Sequence, residues 1–367
     1  MTLRFDIAVI GGGVIGLALA RALAPKTASL AVIDAGATIP PATRAAAGML
    51  APSFEEALGA DALYALSAES LAMWPGFASA LETETGVDVD YRGDGVLGVA
   101  FDAGGATRLE NQRAAIAQRG GDVRMLSGGE ARVLEPALSE KVTAALLAPK
   151  DAQVDPVKLV VALHASLKKR GAQLIDGVVA NATKEAGAWR LGLAHCDVIA
   201  AEHIIVATGA ARDWPIENMA RPPVFPAKGE AYSVQAPASF SLKRVIRAPG
   251  AYVCPKAGGR TVVGATEYRD QLDLAVSEDA IAALKAGAAA AVPEMESCAE
   301  ITRWAGLRPA TPDGAPILGR HNGVWLALGH HRNGVLLAPA SASALAAEIL
   351  GDASAIDLAP FRADRFA

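Results

Sequence analysis

Phe5-Asp6-Ile7-Ala8-Val9-Ile10-Gly11-Gly12-Gly13-Val14-Ile15-Gly16, continued by Leu17-Ala18-Leu19-Ala20-Arg21-Ala22-Leu23, decides the reading of the chain. Phe5 to Ile10 is a short apolar run of the kind that forms a buried strand. Leu17 to Leu23 is built from good helix formers with one polar interruption. A second apolar run, Leu30-Ala31-Val32-Ile33, ends in Asp34, eighteen residues after Gly16. Strand, glycine turn, helix, strand and acid together make the dinucleotide-binding order. Each glycine has a distinct physical role. Gly11 permits the tight turn, Gly13 lets backbone approach a pyrophosphate, and Gly16 lets the helix pack on the strand. The helix start offers unpaired N–H groups and a positive dipole end. Asp34 can accept hydrogen bonds from both ribose hydroxyls, and its charge repels a 2′-phosphate. The fingerprint alone leaves FAD and NAD both open.

Composition narrows the class. A chain of 367 residues with 52% hydrophobic residues has material for two domains. The net charge is −5 and the longest basic run is Lys168-Lys169-Arg170, which argues against nucleic-acid binding. Cys196, Cys254 and Cys298 are odd in number, far apart and outside any metal-ligand spacing. They read as free thiols of a reducing cytoplasm, with no metal site. The apolar stretch Ile7–Leu23 carries four glycines and Arg21, follows Asp6 and has no basic leader. It reads as the interior of a soluble protein, with no transmembrane segment expected.

Along the chain, the loop Ala35–Arg44 leads into Thr43–Pro52, whose small residues read as a compact helix start. Helical spacing runs from Asp61 to Gly86 and from Ala106 to Gln118, and a short helix near Gly128 stops at Pro136. Val157–Arg170 is an amphipathic helix with Pro156 at its first turn. The apolar run through His203–Val206 ends at Thr208 and Gly209, the carboxyl end of a strand in a nucleotide-binding sheet, where ligands bind. Short β segments then dominate: Ala231–Val234, Ala251–Pro255 and Thr261–Ala265, with Lys256–Arg260 as a hairpin turn. An alanine-rich helix follows from Ile281 to Val292, and nucleotide-domain character returns near Trp304. The fold class is therefore α/β: a Rossmann-like nucleotide-binding domain with an inserted, mainly antiparallel β substrate domain. The first comprises residues 1–85, 150–220 and 304–367, the second 86–149 and 221–303.

Two late stretches carry chemistry: Trp304-Ala305-Gly306-Leu307-Arg308-Pro309-Ala310-Thr311-Pro312-Asp313-Gly314 and Gly329-His330-His331-Arg332-Asn333-Gly334-Val335-Leu336-Leu337-Ala338-Pro339. An arginine between an apolar segment and a proline turn is costly to bury unless an anion pairs with it. A guanidinium fork matches a carboxylate with two parallel hydrogen bonds. Arg308 and Arg332 thus read as an anion clamp, with a structural ion pair as the alternative for Arg332. The helix after Val335 adds a second positive helix end.

The motifs GGGVIG at 11–16, TRAAAGMLAP at 43–52, VATGA at 206–210, PAKGE at 226–230, AYVCP at 251–255 and VVGAT at 262–266, with the two late stretches, occur in a familiar order. Over essentially its whole length the chain resembles the thiamine-pathway glycine oxidases, a branch of the FAD-dependent D-amino-acid oxidase superfamily. The resemblance implies a flavoprotein with non-covalent FAD, Arg308 as main carboxylate-binding residue, and Tyr252 reaching the same carboxylate. Arg332 matches a further substrate contact. Val14, Ile15, Asp34, Ala35, Ala42, Thr43, Ala47, Gly48 and Met49 match FAD contacts, as do His330, His331, Arg332, Asn333, Gly334, Val335 and Leu336. Val179 matches a backbone contact on the adenine side.

Two positions depart from the pattern. Glu267 stands where relatives carry an apolar methionine, and it is expected to point to solvent. Gly250 replaces a larger residue and would open the pocket mouth. His330 and His331 read as shaping the flavin pocket rather than as bases.

The implied activity is oxidative deamination of glycine, sarcosine and small D-amino acids, with O2 as acceptor and the imine feeding thiazole synthesis. A quinone-linked D-amino-acid dehydrogenase and a non-catalytic flavin-binding protein are the alternatives. Homo-oligomerisation is left open.

Overall fold

The computed structural model describes residues 3–35, 41–55, 60–185, 187–194, 198–237, 240, 242–269 and 271–367. Cys196 lies outside the described residues. Two eight-stranded sheets organise the chain. In the first, Leu3–Ile10 pairs in parallel with Leu30–Asp34 on one side and Val198–Val206 on the other. Gln173–Asp176 and Val324–Leu328 extend the two flanks in parallel, and Ile317–His321 closes one edge antiparallel. Near-continuous apolar runs such as Ile7–Ile10 and Leu30–Ile33 suit strands covered on both faces.

Four helices share one core against this sheet: Val14–Leu23, Asp61–Thr85, Pro156–Lys169 and Gly334–Leu350, meeting through Leu17, Trp74, Leu81, Leu163, Leu337 and Leu345. By length and composition His331–Leu350 could cross a membrane, but 67% of its apolar window is buried inside the protein. It is the central helix of the core.

The second sheet runs, in spatial order, Ala299–Ala310, Phe225–Gln235, Arg260–Gly264, Ala251–Pro255, Val245–Ala248, Val96–Ala100, Ala144–Ala148 and Arg124–Ser127. Every neighbouring pair is antiparallel except Val245–Ala248 beside Val96–Ala100. Its core gathers Leu97, Tyr232, Val253 and Val263 under Ile281 and Leu284 of the helix Glu278–Ala291.

Several expectations shift. The return at Trp304 is late in fact, because Trp304–Ala310 still pairs with Phe225–Ala231 in the second sheet. The sequence Trp304-Ala305-Gly306-Leu307 has no alternation that would have marked it as an edge strand. Two helices begin three residues earlier than their apolar spacing suggests, at Ala103 and Glu278. There Asp102 and Ser277 accept backbone N–H bonds from Gly105 and Ala280 as N-caps. The compact helix start is a single turn, Pro41–Ala45, after which Met49–Leu50 pairs with Ala152–Gln153.

Pro339 lies inside the helix Gly334–Leu350 and cannot donate to its ladder. Beside it, buried Ser70 of the neighbouring helix enters the ladder. Ala340 N–H donates to Ser70 Oγ at 3.2 Å, and Ser70 Oγ donates to the Leu336 carbonyl at 2.7 Å. Trp74 Nε1 donates to the same carbonyl at 2.9 Å. Ser70→Ala strands the Ala340 N–H in the core and is expected to cost about 1–3 kcal/mol. Urea denaturation followed by circular dichroism measures it; a midpoint equal to that of the wild type would show that the hydroxyl does not support the helix at Pro339.

Candidate active site

A cavity of about 860 Å³ opens between the two sheets. Its first part is built on the glycine turn. Gly11 has φ +113°, and a Cβ there would collide with the Ala207 carbonyl oxygen. A Cβ on Gly16 would collide with the Gly11 carbonyl oxygen, so the helix can sit this close only without one. At Gly13 the nearest atom to a Cβ would be Thr43 Oγ1 at 3.9 Å, so this backbone faces open space. Asp34 Oδ2 accepts the Gly12 N–H at 2.7 Å, and Thr43 Oγ1 accepts the Val14 N–H at 3.3 Å. The residues thus form a cradle that fits a dinucleotide: a turn stripped of side chains, a helix N-terminus and a carboxylate beside them.

Most residues singled out in the sequence line this cavity. Gly11, Gly13, Val14, Ile15, Asp34 and Ala35 do so from the first two strands and the intervening helix. Ala42, Thr43, Ala47, Gly48 and Met49 contribute from the small-residue segment, and Val179, Thr208 and Gly209 from the strand ends. His330, His331, Arg332, Gly334 and Val335 close the wall at the start of the last helix. Gly16, Asn333 and Leu336 do not line it. Gly16 packs inside the turn, Asn333 is buried, and the Leu336 carbonyl faces Ser70 and Trp74. Gly250 does not line it either; it has φ +81° between two paired strands, which explains a glycine there.

The second sheet supplies the polar end. Arg308 reaches across its strand, its guanidinium lying flat against Gly229, where any Cβ would collide with it. Its Nη1 donates to the Thr266 carbonyl at 3.2 Å and the Lys228 carbonyl at 3.5 Å. Among the described residues no carboxylate pairs with it, so its charge is left to face the cavity. Tyr252 lines the same wall, its hydroxyl over Gly264. Burial pushes the Tyr252 phenol up to about 12 while Arg308 pulls the other way, so it is a neutral donor at ordinary pH.

Arg332 does not join Arg308 as a second free arm. Its Nη2 pairs with Glu267 Oε2 at 3.0 Å and its Nη1 with Glu55 Oε2 at 3.4 Å. Glu267, expected to point to solvent, lines the cavity instead. Pairing with Arg332 gives its charge a partner that water alone would have to supply otherwise. Glu55 also pairs with Arg247. Burial pushes the Glu55 carboxyl up, but Arg247 and Arg332 more than reverse this and hold it below its ordinary value. Glu55 and Arg247 carry no local sequence signal, since each meets the cavity only through long-range packing.

The two histidines are neutral walls. His330 is buried, with Nε2 at 3.2 Å from Ser341 Oγ, and burial pushes it down to about 3. Burial, helped by Arg332, pushes His331 down to about 4, with Nε2 at 3.5 Å from Glu267 Oε2. Cys254 is buried against Ala47 and Gln153, and neither it nor Cys298 lines the cavity. Neither therefore presents a thiol for covalent attachment of a cofactor.

A family model described as FAD dependent oxidoreductase, abbreviated DAO, matches residues 6–348. The glycine oxidase of Geobacillus kaustophilus (strain HTA426) is 33% identical over 100% of this chain and 98% of its own. The bifunctional protein ThiO/ThiG of Trichormus variabilis is also 33% identical over 98% of this chain, which spans only 55% of that longer protein. The crystal structure of glycine oxidase from Geobacillus kaustophilus superposes with a TM-score of 0.91 at 33% identity, covering 98% of each chain.

A neutral buried His330 sets a pH dependence. Its folded pKa lies below the unfolded value, so the unfolded chain binds the extra proton and stability falls as pH drops below about 6.5. By pH 5 the loss from this one group is about 2 kcal/mol. Denaturation midpoints of His330→Gln should decline less steeply than those of the wild type between pH 7 and pH 5; parallel slopes would show that His330 is not held neutral.

Proposed function

The chain belongs to the DAO family of FAD-dependent oxidoreductases, and from that premise we propose that it oxidises glycine and other small amino acids, sarcosine and small D-amino acids among them. The products are the imine, or after hydrolysis the 2-oxo acid and ammonia, together with hydrogen peroxide. The observation that carries this reading is Arg308, a cavity-facing guanidinium bound by two carbonyls and by no carboxylate among the described residues, beside the protonated hydroxyl of Tyr252. A small carboxylate completes that arrangement with two charge-assisted bonds.

When bound, FAD would supply the two-electron redox chemistry, with O2 as the final electron acceptor. The chain's own residues bind and orient. Arg308 and Tyr252 hold the substrate carboxylate, which fixes where the α-carbon lies. Gly229 lets the guanidinium lie flat by offering no side chain. Gly13 and Asp34 would face the cofactor's pyrophosphate and ribose, Gly11 permits the tight turn between them, and the start of the helix at Gly334 would add a positive dipole end. His330 and His331 stay neutral and form walls. No side chain has to act as a nucleophile, because the substrate amine's own lone pair assists loss of the hydride.

On this reading the parts around the first sheet hold FAD and the second sheet holds the substrate. The protein works in the cytoplasm and hands its imine to thiazole synthesis for thiamine. Relatives that join ThiO to ThiG in one chain support that place for it.

Arg308→Ala removes the clamp and is expected to cost about 2–5 kcal/mol of carboxylate binding, a 30-fold or larger rise in the glycine concentration needed to bleach the flavin anaerobically. Tyr252→Phe, losing one hydrogen bond to a charged group, should cost about 1.5–3 kcal/mol. Oxygen uptake with glycine, measured alongside, separates an oxidase from a dehydrogenase. Unaltered glycine affinity in the Arg308 variant would overturn the assignment.

A further inference from the structure

Three arginines line one cavity with unequal provisions. Among the described residues Arg308 has carbonyl partners and no carboxylate, whereas Arg332 is held by the carboxylates of Glu55 and Glu267. Arg247 shares Glu55 with Arg332. Glu55 and Glu267 therefore balance Arg247 and Arg332, and of these five charges only that of Arg308 is left for a ligand. We propose that Glu267 is a specificity-determining residue: its carboxylate occupies Arg332 from within the protein and restricts the site to amino acids bearing a single carboxylate. The inference rests on the amino-acid oxidase reading for its reaction, and on the ion-pair geometry for its selectivity.

The selection works by exchange. Arg308 takes the first carboxylate, so a second one has to go to an arginine that already carries an internal carboxylate, and the more exposed of these is Arg332, at 40% against 27% for Arg247. To do so it must displace Glu267, trading one carboxylate for another on the same guanidinium with no net gain. The displaced Glu267 stays tethered in the cavity wall, at an effective concentration of roughly millimolar or more, and competes for the same fork. It also repels the incoming anion, as does Glu55 behind it. The pair is not sealed: the Arg332 side chain is 40% exposed and that of Glu267 30%. Exclusion is therefore electrostatic rather than steric, and removing one charge should relax it. A partly exposed pair contributes little to folding, so the substitution should leave the fold intact.

The test uses the purified holoenzyme as wild type, Glu267→Gln, Glu267→Ala, and Glu267→Gln combined with Arg332→Met. Iminodiacetate and N-ethylglycine are compared as amines of similar length with and without the second carboxylate, reading kcat/KM by oxygen uptake. In parallel, malonate and acetate are titrated against the flavin absorbance, which needs no turnover. Both single variants should raise the dicarboxylate-to-monocarboxylate ratio about tenfold or more in both assays, and the double variant should lose the gain. A ratio unmoved in both single variants, or a gain that survives loss of Arg332, overturns the proposal. If the malonate-to-acetate ratio shifts as expected while no amine reduces the flavin, the selectivity stands and the oxidase reading falls. If amines are oxidised but neither ratio moves, the reverse holds.

Discussion

The close approach of three backbones at the first turn is the constraint on which the molecule depends. The Gly11 carbonyl presses against Gly16, and the Ala207 carbonyl presses against Gly11. With side chains at either glycine the helix Val14–Leu23 would have to lift off the sheet, and Val198–Val206 could not run beside Leu3–Ile10. The carboxyl ends of three parallel strands converge on one opening because this corner is so tight. Everything else in the cavity is hung from that opening: the small-residue segment on one side, the histidine wall on the other, and the edge of the second sheet across from it.

The second sheet answers with charge. Its contribution is one guanidinium that, among the described residues, is supported by peptide carbonyls and no carboxylate, set in a wall whose other ions cancel in pairs. A partly buried cation with neutral partners is normally a liability. Here the cavity gives it access to an anion from outside, so the cost of leaving it unpaired is returned on binding. On the proposed reading the two sheets divide the work, the glycine turn and Asp34 serving the nucleotide and Arg308 with Tyr252 the substrate.

Much of this was legible in the chain, and the pattern of what was not is physical. Gly11, Gly13 and Asp34 could be read because their roles follow from local backbone geometry at fixed spacing. Arg308 and Tyr252 were reachable through whole-chain resemblance, since nothing local distinguishes a clamp arginine from a structural one. For the same reason the chain alone does not turn Glu267 into the cavity or decide between the clamp and ion-pair readings of Arg332. The two are 65 residues apart, and only the fold shows that each is the other's partner. Within the edge strand Ala299–Ala310, the stretch Trp304–Ala310 falls beyond the expected boundary at residue 303, because glycine and alanine erase the alternation that marks a strand. Asp102 and Ser277 moved two helix starts because a cap acts before the apolar spacing begins.

The pairing of Phe225–Gln235 with Ala299–Ala310 has a consequence for how this lineage can change length. Arg308 faces the cavity only because Ala227 stands opposite it, and side chains alternate faces along a strand. One residue added or deleted between Ala227 and its turn partners would rotate the guanidinium to the opposite face and abolish the site without touching a single ligand. Farther along, Ser233 lies opposite Thr302 and Val234 opposite Glu300, so Ile301 is looped out and half exposed. That bulge is a slack point: length variation can be absorbed there, at the distal end, while the Arg308 end of the same ribbon stays closed to insertions and deletions.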